Sequence, residues 1–328
     1  MNKMNKKVIS VITAIMRLAT CLTGFGGCGD KAADPARISF ASGGTSGTYY
    51  PIAGAISTLW TDKVEGLTVD VQSTGASAEN LNLINKGEAE VALVQNDVMY
   101  YAYTATESFA GVDKNESFLT LGTVYPEVVQ LVVAGDAGIE TLADLKGKAV
   151  SIGDVGSGVE SNAKQILAAA GIGLDEITVR NLGFGESANG IKDKTLDAAF
   201  VTAGTPTTAV TELAATNDIK VLSLDQAVID QLCADYGYYT EFVIPADVYG
   251  TDADAKTVAV KATIVVIADL SEGLVYNMTK AVFENLDVVA ESHAKGKELS
   301  LTGAIDGVSV PLHPGAAKYY AEQGLDVE

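Results

Sequence analysis

The stretch 41-ASGGTSGTYYPIAGAIS-57 decides how this chain is read. Small residues and hydroxyls run into two tyrosines, a proline and an alanine-rich segment. Pro51 suits the first turn of a helix, where its missing N–H costs nothing. The preceding ISFAS (38–42) reads as a strand, so the stretch predicts a strand, a Gly-rich turn and a helix reaching about Trp60. Glycine lets the backbone approach a ligand, and the helix start supplies unpaired N–H groups and partial positive charge, together a cradle for an anion. The turn is not a P-loop, because Thr48 and Tyr49 follow Gly47 where a lysine is required. The adjacent pair Gly43 and Gly44 breaks a dinucleotide fingerprint. An ordinary βα connection without a ligand has the same appearance.

Outward from this turn, LTVDVQST (67–74) alternates as a strand. SAENLNLINKG reads as a helix with Gly87 as its C-terminal cap, and VALVQND (91–97) as a short buried strand. The pattern resumes after residue 126. EVVQLVVAG (127–135), AVSIGDVG (149–156) and LDAAFVTAG (196–204) are strands, LADLKGK is a short helix, and ESNAKQILAAAG is a helix capped by Gly171. TPTTAVTELAA follows as a helix with Thr205 as N-cap and Pro206 as first residue. The apolar residues at 274, 275, 278, 281, 282 and 286 form a core-packing helical stripe after the apolar run 258–270. Alternating strands and helices predict the α/β class, with mostly parallel sheets flanked by helices. The expected division is lobe I, 38–126 with 259–328, and lobe II, 127–258. A ligand would sit between them, beyond the carboxyl ends of the strands.

Three loops share the strand–glycine–helix grammar: SGGTSGTYYP (42–51), GDVGSGVES (153–161) and TAGTPT (202–207). Tyr49 and Tyr50 lie about 100° apart on a helix, so one can face the cleft while the other packs. Gln95 and Asn96 end a strand, and Gln95 is placed either to recognise an amino or carboxylate group or to cap a turn. Tyr125 falls where the chain would cross between lobes. No G-x-S-x-G elbow, H-E-x-x-H or Cys/His metal spacing is present, so neither a catalytic group nor a metal or other cofactor is expected. His313, in PLHPG, reads as part of a turn.

The chain has 328 residues, 48% hydrophobic, enough for one large domain or two ordinary ones. Its formal net charge of -20 excludes nucleic-acid partners. The start MNKMNKK, the apolar VISVITAIM and small residues before Cys28 read as a lipoprotein signal over 1–28, with Cys28 as the lipidated residue and 29–37 as a tether. Cys21, after LAT, is a weaker match, and a plain signal peptide or signal anchor is the alternative. Removing 1–27 takes away Lys3, Lys6, Lys7 and Arg17 and no acid, leaving 18 basic against 42 acidic residues, or -24. The remaining cysteine, Cys233, stands alone and is expected to be structural.

Taken in order, SGGTSGTYYP, STGASAENL, GEAEVALVQND, YPEVVQLVV, LADLKGKAVSIGDVGSGVE, AAFVTAGTPTTAV and PLHPGAAKYY resemble the TAXI-type solute-binding receptors of tripartite ATP-independent periplasmic (TRAP) transporters over about 38–328. That resemblance implies a two-lobed, type II periplasmic-binding-protein fold that closes on a small carboxylate, with glutamate or glutamine as first candidates, and delivers it to TRAP permease subunits driven by an ion gradient. The implied lining is Gly44, Thr45, Tyr49, Ser73, Thr74, Gln95, Ser157, Gly158, Thr202, Gly204 and Thr205. Val159 stands where such receptors often carry a hydroxyl, which points toward a less polar organic acid. A receptor of the same fold for an ABC importer or a sensor kinase is the alternative, and an extracytoplasmic transferase using the cradles is a second.

Overall fold

A computed structural model describes residues 34–327. The expected signal, Cys28 and most of the tether lie outside them. The first strand is β1 (Arg37–Ala41), followed by helix α1 (Tyr49–Lys63), β2 (Thr68–Gln72), α2 (Ser77–Lys86) and β3 (Val91–Gln95). The quoted stretch therefore folds as its residues predict, with the helix starting two residues before Pro51. Gly87 closes α2 with φ 70°, a left-handed cap that glycine adopts without strain. Asn96 does not end the strand as expected; it begins helix α3 (Asn96–Thr104).

The central element is β4 (Phe118–Ala134), a strand of 17 residues of which the sequence pattern showed only the second half. After it come β5 (Ala149–Ser151), α4 (Gly158–Ala169), β6 (Thr178–Arg180), α5 (Phe184–Lys192), β7 (Ala198–Ala203) and α6 (Thr208–Ala214). Next are β8 (Ile219–Leu222), α7 (Gln226–Asp235), β9 (Thr240–Ile244) and the long β10 (Ala255–Ile267). Helices α8 (Glu272–Phe283), α9 (Leu286–Ser292) and α10 (Pro314–Glu322) complete the chain. The LADL segment is a 3-10 turn, Leu142–Leu145, closed by a Thr141/Asp144 capping box. Thr205 is not the cap of α6; that position belongs to Thr207, whose hydroxyl donates to the Gly204 carbonyl at 2.8 Å and so closes the turn ahead of the helix.

The strands form one sheet in the order β2-β1-β3-β10-β4-β7-β5-β6, with β8 added to β4 and β9 to β10. The outer pairs on each side, β2/β1/β3 and β6/β5/β7, are parallel. The two long strands run antiparallel to each other and to their neighbours. They also change partners part-way. On β10, Ala255–Ala259 pair with β9 and Ala262–Val266 with β3. On β4, pairing with β7 begins at Val128. Register shifts at Ala262/Thr263 and Ile264/Val265 mark the same region, where bulges bend and twist a strand pair. Helices flank the sheet, giving the α/β architecture the sequence predicts.

Separate cores underlie the two ends. In one, Trp60 is fully buried, stacks on Phe40 with ring centroids 5.5 Å apart, and donates its indole N–H to the Met278 carbonyl at 2.8 Å. The stripe on α8 belongs to this core through Val275, Met278 and Val282. In the other, Phe200, Ile166 and Leu167 pack around β5 and β7, with Cys233 half-buried at its margin. His313 caps α10, accepting the Gly315 N–H, as its turn context suggested. No described helix is long and apolar enough to cross a membrane.

Candidate functional site

Where the two halves of the sheet meet, a cavity of about 290 Å³ lies at the starts of four helices, α1, α2, α4 and α5. The strand-to-helix turns converge there because parallel strands all end on the same side. The first turn is tightened by Gly47 N–H donating to the Gly44 carbonyl at 3.0 Å. Neither α1 nor α2 has a side-chain cap, so their first N–H groups are left for other acceptors. Helix α4 is capped by Ser157, whose hydroxyl accepts from the Glu160 N–H at 3.1 Å.

Of the twelve residues expected at a ligand site, ten line this cavity: Gly44, Thr45, Tyr49, Ser73, Thr74, Gln95, Ser157, Gly158, Val159 and Thr202. They are not equivalent. Gly44, Thr45 and Ser73 are exposed at the mouth, whereas Tyr49, Gln95, Gly158 and Thr202 are buried. The Ser73 and Thr74 hydroxyls donate to the carbonyls of Gly43 and Ser42 at 3.0 and 3.1 Å, which holds the second turn against the first. Gly204 and Thr205 fall outside the lining. Gly204 instead makes a packing contact: a Cβ there would lie 2.5 Å from Lys295 and 3.0 Å from Thr48, and its carbonyl accepts from the Thr48 hydroxyl at 3.3 Å.

Several lining residues escaped the sequence reading. Glu127 is 2% exposed and accepts a 2.8 Å hydrogen bond from the Tyr49 hydroxyl. Burial raises its pKa well above the usual carboxylate range, and the Tyr49 bond opposes that rise. Burial and the neighbouring Glu127 likewise hold the Tyr49 phenol protonated. The turn Gly183-Phe184-Gly185-Glu186 opens α5 at the cavity with the same strand–glycine–helix grammar as the other loops, so a signal for it was present. Asp154 also lines the mouth, its pKa raised by partial burial and then by Glu186 and Glu79. For Glu127 the sequence carried no distinguishing signal, since one acid in EVVQLVVAG resembles any other polar position on a strand.

The halves touch around the cavity. Ala209 N–H donates to the Ser46 carbonyl and Ala78 N–H to the Gly156 carbonyl, both at 3.2 Å. Behind the cavity, Gln95 Nε2 donates to Asn162 Oδ1 at 3.2 Å, and Asn162 Nδ2 donates to Asp97 at 2.8 Å. Gln165 Nε2 donates to the Tyr101 hydroxyl at 2.8 Å, and Tyr101 and Tyr238 share a further hydroxyl contact. This network joins α3 to α4 and closes the back of the cleft. Gln95 Oε1 and Thr202 Oγ1 are buried without a hydrogen-bond partner among the described residues.

A cleft between two α/β halves linked by crossing strands is the arrangement of the type II periplasmic-binding-protein fold. The chain belongs to the NMT1-like family, whose model matches residues 40–324. Solved structures share the fold at low identity. A chain from Bordetella bronchiseptica RB50 is similar with a TM-score of 0.52 and 16% identity, covering 88% of this chain and 82% of that one. The binding-protein component of an ABC phosphonate transporter from Pseudomonas aeruginosa gives 0.51 and 13%, covering 80% and 79%. A candidate L-cystine ABC transporter protein from Listeria monocytogenes gives 0.50 and 16%, covering 80% and 98%.

Proposed function

We propose that this protein is an extracytoplasmic solute-binding receptor that closes around a small carboxylate solute and presents it to a membrane permease. The carrying observation is the cavity itself, set between two halves and faced by four helix starts. Its lobes are 38–126 with 259–328, and 127–258, and they hinge near 125–130 and 256–262, where β4 and β10 change partners. A ligand touching both lobes stabilises the closed form by its differential affinity for that form. Glutamate and glutamine are the first candidates. Lipid at Cys28 would hold the receptor at the membrane.

The permease we favour is that of an ABC importer, because two of the fold relatives named above are described as components of ABC transporters. The TRAP permease is the second reading, carried by the ordered sequence blocks. Uptake by membrane vesicles separates them: vanadate stops an ABC importer, whereas collapse of the ion gradient stops a TRAP system. Titration calorimetry of the ligand-stripped chain against small carboxylates and amino acids tests the receptor reading. Saturable binding with a fall in scattering radius supports it; identical scattering at saturation counts against closure.

A further inference from the structure

The cavity is unevenly charged. Facing it are the starts of α1 and α2 from one half and of α4 and α5 from the other, which favour negative charge. On the sheet side stands Glu127, and the mouth carries Asp154 and Glu186. No lysine, arginine or histidine is among the described lining residues. Among the described residues Glu127 forms no ion pair, and the Tyr49 hydroxyl is its side-chain partner. A buried carboxylate with no cation beside it is costly unless a ligand supplies the charge.

Two further groups belong to this side. Thr202 pairs with Val129 across β4 and β7, and Val129 is two residues from Glu127, so Glu127 and Thr202 share a face of the sheet. Thr202 Oγ1 and Gln95 Oε1 are buried, belong to residues that line the cavity, and have no hydrogen-bond partner among the described residues. A carboxylate, a hydroxyl and an amide oxygen form an acceptor-rich set suited to a group with several N–H donors.

Resting on the receptor reading, we infer that the cavity selects a zwitterion of zero or positive net charge. Glu127 holds the ligand's ammonium group, Gln95 and Thr202 complete its acceptors, and the helix starts take its carboxylate. A dianion offers Glu127 no cation to pair with, meets Asp154 and Glu186 at the mouth, and finds no compensating side-chain cation among the described lining residues, so dicarboxylates are disfavoured, and a neutral amino acid such as glutamine is preferred to glutamate.

The test is calorimetric titration of the full chain with neutral L-amino acids including L-glutamine, with L-lysine and L-glutamate, and with succinate. The expected result is that a zwitterion of zero or positive charge binds at least about tenfold tighter than L-glutamate and succinate. Glu127→Gln should weaken that ligand by about thirtyfold or more, the range for breaking a buried charge pair, while keeping an acceptor for Tyr49. The wild-type charge preference stands as a readout even where the variant folds poorly. Succinate or L-glutamate binding as tightly as the zwitterions, or a folded Glu127→Gln protein with affinity within twofold of wild type, overturns the inference and leaves the receptor reading intact. Failure of every solute to bind overturns the receptor reading, and the inference with it.

Discussion

Gly158→Ala should disable closure without harming the fold. Gly158 is the first residue of α4, at a backbone conformation that alanine adopts without strain. In the closed cleft, however, a Cβ at Gly158 would lie 1.2 Å from Gln95 Oε1, 2.2 Å from its Cδ and 3.1 Å from its Cγ. The first distance is about 2 Å short of an ordinary contact. Either the halves stay apart or Gln95 swings away and breaks its bond to Asn162. Losing that bond costs about 1 kcal/mol net, and an unsatisfied buried partner adds about 1–3 kcal/mol. Ligand affinity should therefore fall about 30- to 1000-fold, with the melting temperature unchanged or slightly raised. Calorimetry measures the first and thermal unfolding the second. Adding Gln95→Ala removes the clashing atoms, so small-angle scattering of the double variant should again show ligand-driven compaction. Wild-type affinity in Gly158→Ala alone would refute the reasoning.

Two other outcomes follow from packing and burial. At Gly315 a Cβ would meet the Glu272 carbonyl at 2.3 Å and Tyr276 N at 2.6 Å, both rigid backbone of α8. Gly315→Ala should then cost about 1–3 kcal/mol, visible as a lower melting temperature. Burial pushes Asp97 up from 3.8 to about 6, against its hydrogen bond from Asn162. Because the folded-state value is raised, the folded protein holds this proton more tightly. The stability it contributes is full below about 4 and is lost as pH rises through about 6. Asp97→Asn should accordingly gain about 2–3 kcal/mol relative to wild type at pH 8 compared with pH 4. Denaturant unfolding at both values checks it, and an equal difference at the two refutes it.

Local chemistry made much of the fold legible. The small residues before Tyr49, Pro51 in the first turn, and Gly87 and Gly171 after apolar stripes each carry a backbone preference that holds wherever the segment sits. Alternation of such units fixes the α/β class, and their loops named ten lining residues before any contact was known. What only tertiary structure decided depends on partners distant in the chain. The first half of β4 is interrupted by Gly122 and runs into Pro126, both of which argue against a strand by themselves. It is a strand because β10 pairs along it, and glycine stands at 122 because the Tyr320 hydroxyl and the Ala304 carbonyl occupy the space a side chain would fill. Thr205 looked like a cap by position, yet the Thr207 hydroxyl, linked to both Gly204 and Gln130, determines where α6 starts. Glu127 acquires its meaning only when β4 and the start of α1 bring it against Tyr49 in a buried cleft, because charge in a site is set by what surrounds it in space.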